Sequence, residues 1–154
     1  MIHVDMVQKS LDERLRAGTA RQTLLLAAAG LAFELDLEKA DELACVVTRV
    51  QVAPTARPSL PLAERGLAIA NRITGLMEPL RVVEVDAPAA VAQLRSQTPA
   101  TVGDGRAYYE LLLEASGRAT LRRYVGRSDE PRREPAPFTL TREALAKLIV
   151  DLGS

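Results

Sequence analysis

The chain has 154 residues, with 20 Lys and Arg against 20 Asp and Glu, one histidine and one cysteine. That length suffices for one domain, residues 1–154, whose core needs no disulfide or metal staple. Zero net charge gives no long-range pull toward polyanions or anionic membranes.

Cys45 is the only cysteine, so an internal disulfide is excluded, and its apolar surroundings from Leu43 to Val47 predict a buried, inert thiol. With His3 as the single histidine, zinc sites of the usual ligand types cannot be assembled, and a histidine-based triad would need His3 itself. The apolar run from Thr23 to Phe33 is too short to span a bilayer. No basic segment leads a terminal apolar stretch, so cytoplasmic residence is the default expectation.

In chain order, Val7, Leu11 and Leu15 recur at spacing four between a candidate cap at Asp5 and a terminator at Gly18, which predicts a first helix. Thr19 and Gln22 have capping-box spacing ahead of a Leu-Ala run, which predicts a second helix to about Phe33. Asp36 can cap a third, with Leu43, Val47 and Val50 on one face and Pro54 as its stop. The β-branched residues around Val46 to Val52 support a rival, a hairpin over residues 30–53 turning near Glu38 and Lys39. On that rival the order helix, hairpin, helix, hairpin, helix resembles that of small secretion-chaperone dimers, although this chain lacks the acidic balance typical of that group.

Ala53 to Pro61 is a proline-rich connection, after which Leu62, Ile69, Ile73 and Leu76 form a helical stripe stopped before Pro79. The period then changes to two, predicting strands over Leu80 to Val85 and Val91 to Ser96. Gly103-Asp104-Gly105 precedes no helix and reads as a turn, not a phosphate loop. Tyr108 to Val125 reads as a hairpin turning at Ser116-Gly117. Gly126 to Pro137 reads as an exposed loop, and Thr141 caps a last helix with Leu145, Leu148, Ile149 and Leu152 inward and a Leu140–Leu145 staple. The expected fold is α+β: a helical N-terminal half, a four-stranded antiparallel meander over about 80–126, and a C-terminal helix packed on the sheet.

A two-residue turn would set Glu110 opposite Arg123 as a cross-strand ion pair, with Tyr109 opposite Tyr124 and Leu111 opposite Arg122. Large apolar residues then stand on both faces. Tyr109, Leu111, Leu113, Arg122 and Tyr124 become the candidate interaction surface, for a homodimer or another protein. Arg118 to Arg133 is arginine-rich, and Arg127, Arg132 and Arg133 are the candidate anion contacts.

The acidic run Glu34 to Glu42 reads as a solvated helix start favoured by the dipole, not a cation site. No catalytic residue, cofactor or metal site is expected. The favoured reading is a non-catalytic cytoplasmic interaction module without membrane attachment. A nucleic-acid or anion-binding domain is the alternative, disfavoured by the balanced charge. An enzyme using only carboxylates, Arg and Tyr ranks third, and it would gain from a pocket uniting Arg95, Tyr109 and Arg122.

Overall fold

The computed structural model describes residues 3–127 and 129–154, so Met1, Ile2 and Ser128, the last within the arginine-rich segment, lie outside the described residues. Among the described residues three helices, α1 (Val4–Arg14), α2 (Leu62–Arg72) and α3 (Arg142–Gly153), accompany ten strands. These are β1 (Gln22–Ala28), β2 (Leu31–Ala40), β3 (Ala44–Pro54), β4 (Leu80–Asp86), β5 (Val91–Ser96), β6 (Ala100–Val102), β7 (Gly105–Glu114), β8 (Ala119–Arg127), β9 (Arg133–Ala136) and β10 (Phe138–Thr141). They make one antiparallel sheet in the order β1-β2-β3-β8-β7-β5-β4, with β6 on β7, β9 on β8 and β10 on β3.

The expected helical N-terminal half with a four-stranded meander is therefore overturned: the chain is mostly sheet, and residues 22–54 are three strands. In β1, Leu24 and Leu26 are buried while Thr23, Leu25 and Ala27 are exposed, a period of two hidden inside a Leu-Ala run. Ala29 and Gly30 reverse the chain, both at positive φ (55° and 79°), as a two-residue hairpin turn requires. Gly30 thus ends a strand instead of interrupting a helix. The helix propensity of Leu and Ala, a fraction of a kcal/mol per residue, yields to burial of Leu31, Phe33, Leu35, Val50 and Val52 across β2 and β3. Their connection turns at Asp41, whose carboxylate accepts from the N–H groups of Leu43 (2.8 Å) and Ala44 (2.7 Å).

The helices cover one face of the sheet. Gly66 of α2 packs beside Val82, Leu94 and Leu113, and at Gly153 a Cβ would collide with the Leu31 side chain, so α3 sits close on β2. The Thr141 cap predicted for α3 is present, its Oγ1 accepting from the Ala144 N–H at 3.0 Å. At the other end of α3, Arg65 donates to the Leu152 carbonyl and Arg72 to those of Asp151 and Ser154, placing two cations against the helix's negative end.

β3 and β8 pair only at Val50–Val52 with Ala119–Leu121 and then part. The segment Arg133–Thr141 fills the gap, pairing first with β8 and, past Pro137, with β3. The expected exposed loop over Gly126 to Pro137 is thus partly strand, and Arg133 is held in the sheet.

Candidate functional site

The register of the β7–β8 hairpin decides which side chains share a face. Gly117 lies at φ 110° and donates to the Glu114 carbonyl (2.9 Å), so three residues, Ala115 to Gly117, form the loop between Glu114 and Arg118. A three-residue loop closed by a left-handed glycine moves the pairing by one residue from the two-residue turn read in the sequence. Glu110 consequently faces Arg122, Leu111 faces Leu121, and Tyr108 faces Tyr124. The expected Glu110–Arg123 pair does not form.

Arg123 instead turns into the covered face, where it meets Glu78 in two hydrogen bonds of 2.9 and 3.2 Å and stacks 4.2 Å from the Tyr109 ring centre. Ser96 donates to Glu78 (3.1 Å) and accepts from the Tyr109 N–H (2.8 Å), completing a buried network. Desolvation pushes the Tyr109 phenol up, against the nearby Arg123 charge. Tyr109, Leu111 and Leu113 are 1%, 0% and 0% exposed, so the structure puts these three candidate surface residues in the chain's own core.

Arg122 and Tyr124 stand on the opposite face, which no helix covers. There the registers align one straight row across the sheet: Thr23, Asp36 and Arg49 on β1, β2 and β3, then Arg122, Glu110, Arg95 and Arg81 on β8, β7, β5 and β4. Arg49 and Arg122 are the residues next to the last β3–β8 pair, Val50–Leu121, where the two strands part. Asp36 accepts from Thr23 (2.8 Å) and from Arg49 (2.7 Å), and Arg49 also meets Glu34 at 2.8 Å. Burial would raise the Asp36 carboxyl, but the bonds from Arg49 and Thr23 outweigh it and hold it below the ordinary range.

Glu110 is the best-held carboxylate of this face. It pairs with Arg133 through both oxygens, with Arg95 at 3.3 Å, and accepts from Gln93 at 3.0 Å. Arg133 stacks 3.8 Å from the Tyr124 ring centre and Arg95 5.4 Å from that of Tyr108. Desolvation acts to raise the Glu110 carboxyl; Arg133, Arg95 and Gln93 together hold it down. The Arg133 guanidinium is stabilised in return, its pKa raised chiefly by the hydrogen bonds to Glu110.

Like charges directly opposite in a sheet are unfavourable, yet this row sets Arg81 against Arg95. Among the described residues, Arg81 and Arg122 have no ion-pair partner, and the Nε of Arg95 is buried without an acceptor. The adjoining row runs Glu84, Gln93, Leu112, Thr120, Gln51, Glu34 and Leu25, neutral in its middle. A shallow concavity of about 340 Å³ lies between the two, lined by Gln51, Glu110, Leu112, Thr120, Arg122 and Tyr124 among others.

Of the arginines proposed as anion contacts, Arg133 is engaged with Glu110, Arg127 lies 3.8 Å from Asp104, and Arg132 is exposed. Arg95 and Arg122 share the open face while Tyr109 points away from it, so the pocket that would unite the three is not formed. Within the acidic run, Glu34 and Asp36 serve Arg49 and Asp41 serves a turn. Among the described residues no group of three His, Cys, Asp or Glu converges as a metal site. Cys45 is buried, and desolvation raises its thiol pKa. Arg81, Asp36 and Arg49 were missing from the sequence reading of the site, because only pairings between strands bring them into one row, and Tyr108 joins Tyr124 only through the shifted hairpin register. No family model, curated protein or solved structure matches this chain.

Proposed function

We propose that this chain is a non-catalytic binding module whose open sheet face receives an acidic polypeptide segment laid along the Arg122–Arg95–Arg81 row. The observation that carries the reading is that Arg81 stands opposite Arg95, and that neither Arg81 nor Arg122 has an ion-pair partner among the described residues, on a face left bare by the chain's own helices. Carboxylates of a partner would relieve that repulsion through paired hydrogen bonds, for which the guanidinium fork is suited. Arg133 assists by neutralising Glu110, so that no free carboxylate in the row repels the partner. Residence in the cytoplasm belongs to this proposal. No helix among the described residues is long and apolar enough to cross a membrane.

Titration of a fluorescent Asp- and Glu-rich peptide, followed by anisotropy, is the test. We expect binding that weakens with salt and that is lost in Arg81→Ser combined with Arg122→Ser. Binding indifferent to that double substitution would overturn the reading. Tighter binding of a single-stranded oligonucleotide than of the peptide would replace it with nucleic-acid recognition, for which the tyrosines offer stacking surfaces.

A further inference from the structure

The two outer strands of the sheet are treated differently. β4 carries Arg81, Glu84 and Asp86, and its pairing with β5 is broken by an irregularity between Val82 and Glu84. Charge and a bulge are the usual guards of an exposed edge. β1, Gln22 to Ala28, has neither: its sequence QTLLLAA holds no charge and no proline, and its register with β2 runs unbroken from Gln22 to Ala28. No strand of the described residues pairs with its outer side. Leu25, at the middle of the strand, is 67% exposed. Beside it lies a concavity of about 370 Å³ lined by Ala27, Ala32, Phe33 and Ala53 together with Glu34, Gln51 and Arg118.

We propose that this edge is where two copies of the chain join, β1 against β1 in antiparallel pairing about Leu25, so that the sheet continues from one copy into the other. The strand is self-complementary in that arrangement. Leu25 meets its own copy, Thr23 meets Ala27, and Leu24 meets Leu26. Core-side residues therefore align with core-side residues, and the exposed Leu25 side chains of the two open faces meet. Arg21, just before the strand, falls opposite Ala29 of the other turn. Parallel pairing would set Arg21 against Arg21, and a partner strand of any charge would find nothing on β1 to match it. A second copy is thus the occupant that the edge fits. The inference is independent of what the arginine row binds, since Leu25 lies outside that row.

Sedimentation across the micromolar range should show a species of twice the 16.7 kDa chain mass at high concentration. Leu25→Lys places like charges face to face at the two-fold axis and should leave a monomer with an unchanged circular-dichroism spectrum. In a second variant, Leu25→Cys, the two thiols come within disulfide reach and oxidation should yield a covalent dimer, while Glu84→Cys on the guarded edge should not. Buried Cys45 stays out of this chemistry. A monomer at every concentration, a dimer that survives Leu25→Lys, or equal cross-linking through Glu84→Cys would each overturn the proposal.

Discussion

The same trio, a glutamate held by an arginine that stacks on a tyrosine, stands on each face of the β7–β8 hairpin. On the covered face the trio is Glu78, Arg123 and Tyr109; on the open face it is Glu110, Arg133 and Tyr124. The two carboxylates are alike, Glu78 at 7% and Glu110 at 6% exposure, and the difference lies in the arginines, Arg123 at 5% and Arg133 with a side chain 37% exposed. The chemistry is shared and the consequences differ. A buried pair cannot be broken without stranding a charge, so Glu78 ties the α2–β4 connection to β8. Arg133 reaches buried Glu110 from the solvent side and can leave it to Arg95 and Gln93, which suits a binding face.

The comparison is broken most severely at Glu78. Glu78→Ala leaves Arg123 buried with no second carboxylate among the described residues, and should destabilise by about 3–5 kcal/mol in denaturant unfolding. Replacing both partners, Glu78→Leu with Arg123→Met, should recover most of that loss, since no charge is then stranded. If the single substitution is tolerated, the inner trio is not a structural tie.

Next in size are the apolar contacts that seat α3 on the covered face. Leu145→Ala and Ile149→Ala, both at 0% exposure, should each cost about 2–5 kcal/mol. Unshifted denaturation midpoints would mean that α3 does not help to bury the inner trio's face.

These two helical positions were legible in the sequence, and so were α1 and α2 as elements and the Thr141 cap, because a 3.6-residue stripe is a local signal; the helix ends were not, since α1 begins after His3 without a cap from Asp5 and stops at Arg14 short of Gly18, and α2 stops at Arg72 short of Leu76. What the sequence hid was decided by non-local pairing. Leu24 to Ala29 satisfies a helix and a strand equally well until β2 lies beside it, and only the positive φ of Ala29 and Gly30 settles the matter. The hairpin was visible, but its register hung on whether Gly117 sat inside a two-residue turn or closed a three-residue loop. One residue of slip exchanged Arg122 for Arg123 and so moved every candidate residue of β8 to the other face. The arginine row was the least accessible, since it is assembled from six registers among seven strands.

A smaller effect is expected at the outer trio. Arg133→Ser leaves buried Glu110 with Arg95 at 3.3 Å and Gln93 at 3.0 Å, so the loss should be about 1–3 kcal/mol. The pH dependence carries a defined sign. Glu110 and Asp36 have folded-state pKa values below their unfolded ones, so the unfolded chain binds more protons as pH falls. Their contribution is complete above the ordinary carboxylate range and is lost as pH falls through the depressed values. Arg133→Ser should flatten that acid-side decline in denaturation midpoint. An unchanged pH profile would show that Arg133 does not hold Glu110 in solution.

The smallest effect is expected beyond the trio, at Arg127 and Arg132, and it sharpens the comparison by testing charge without architecture. Both are exposed; Arg127 approaches Asp104 only at 3.8 Å, and neither side chain stacks on a tyrosine among the described residues. Arg127→Ser with Arg132→Ser should therefore change stability by no more than about 0.5 kcal/mol. If the partner reads a positive field, removing these two charges should weaken the acidic peptide as much as Arg81→Ser with Arg122→Ser does. If it reads the row, it depends on guanidinium groups fixed at the spacing of neighbouring strands, and the loop-side pair should matter little. The second outcome is the one expected. The measurement is the ratio of the two double variants' affinities at one salt concentration, and a ratio near one would reduce the open face to a diffuse basic patch.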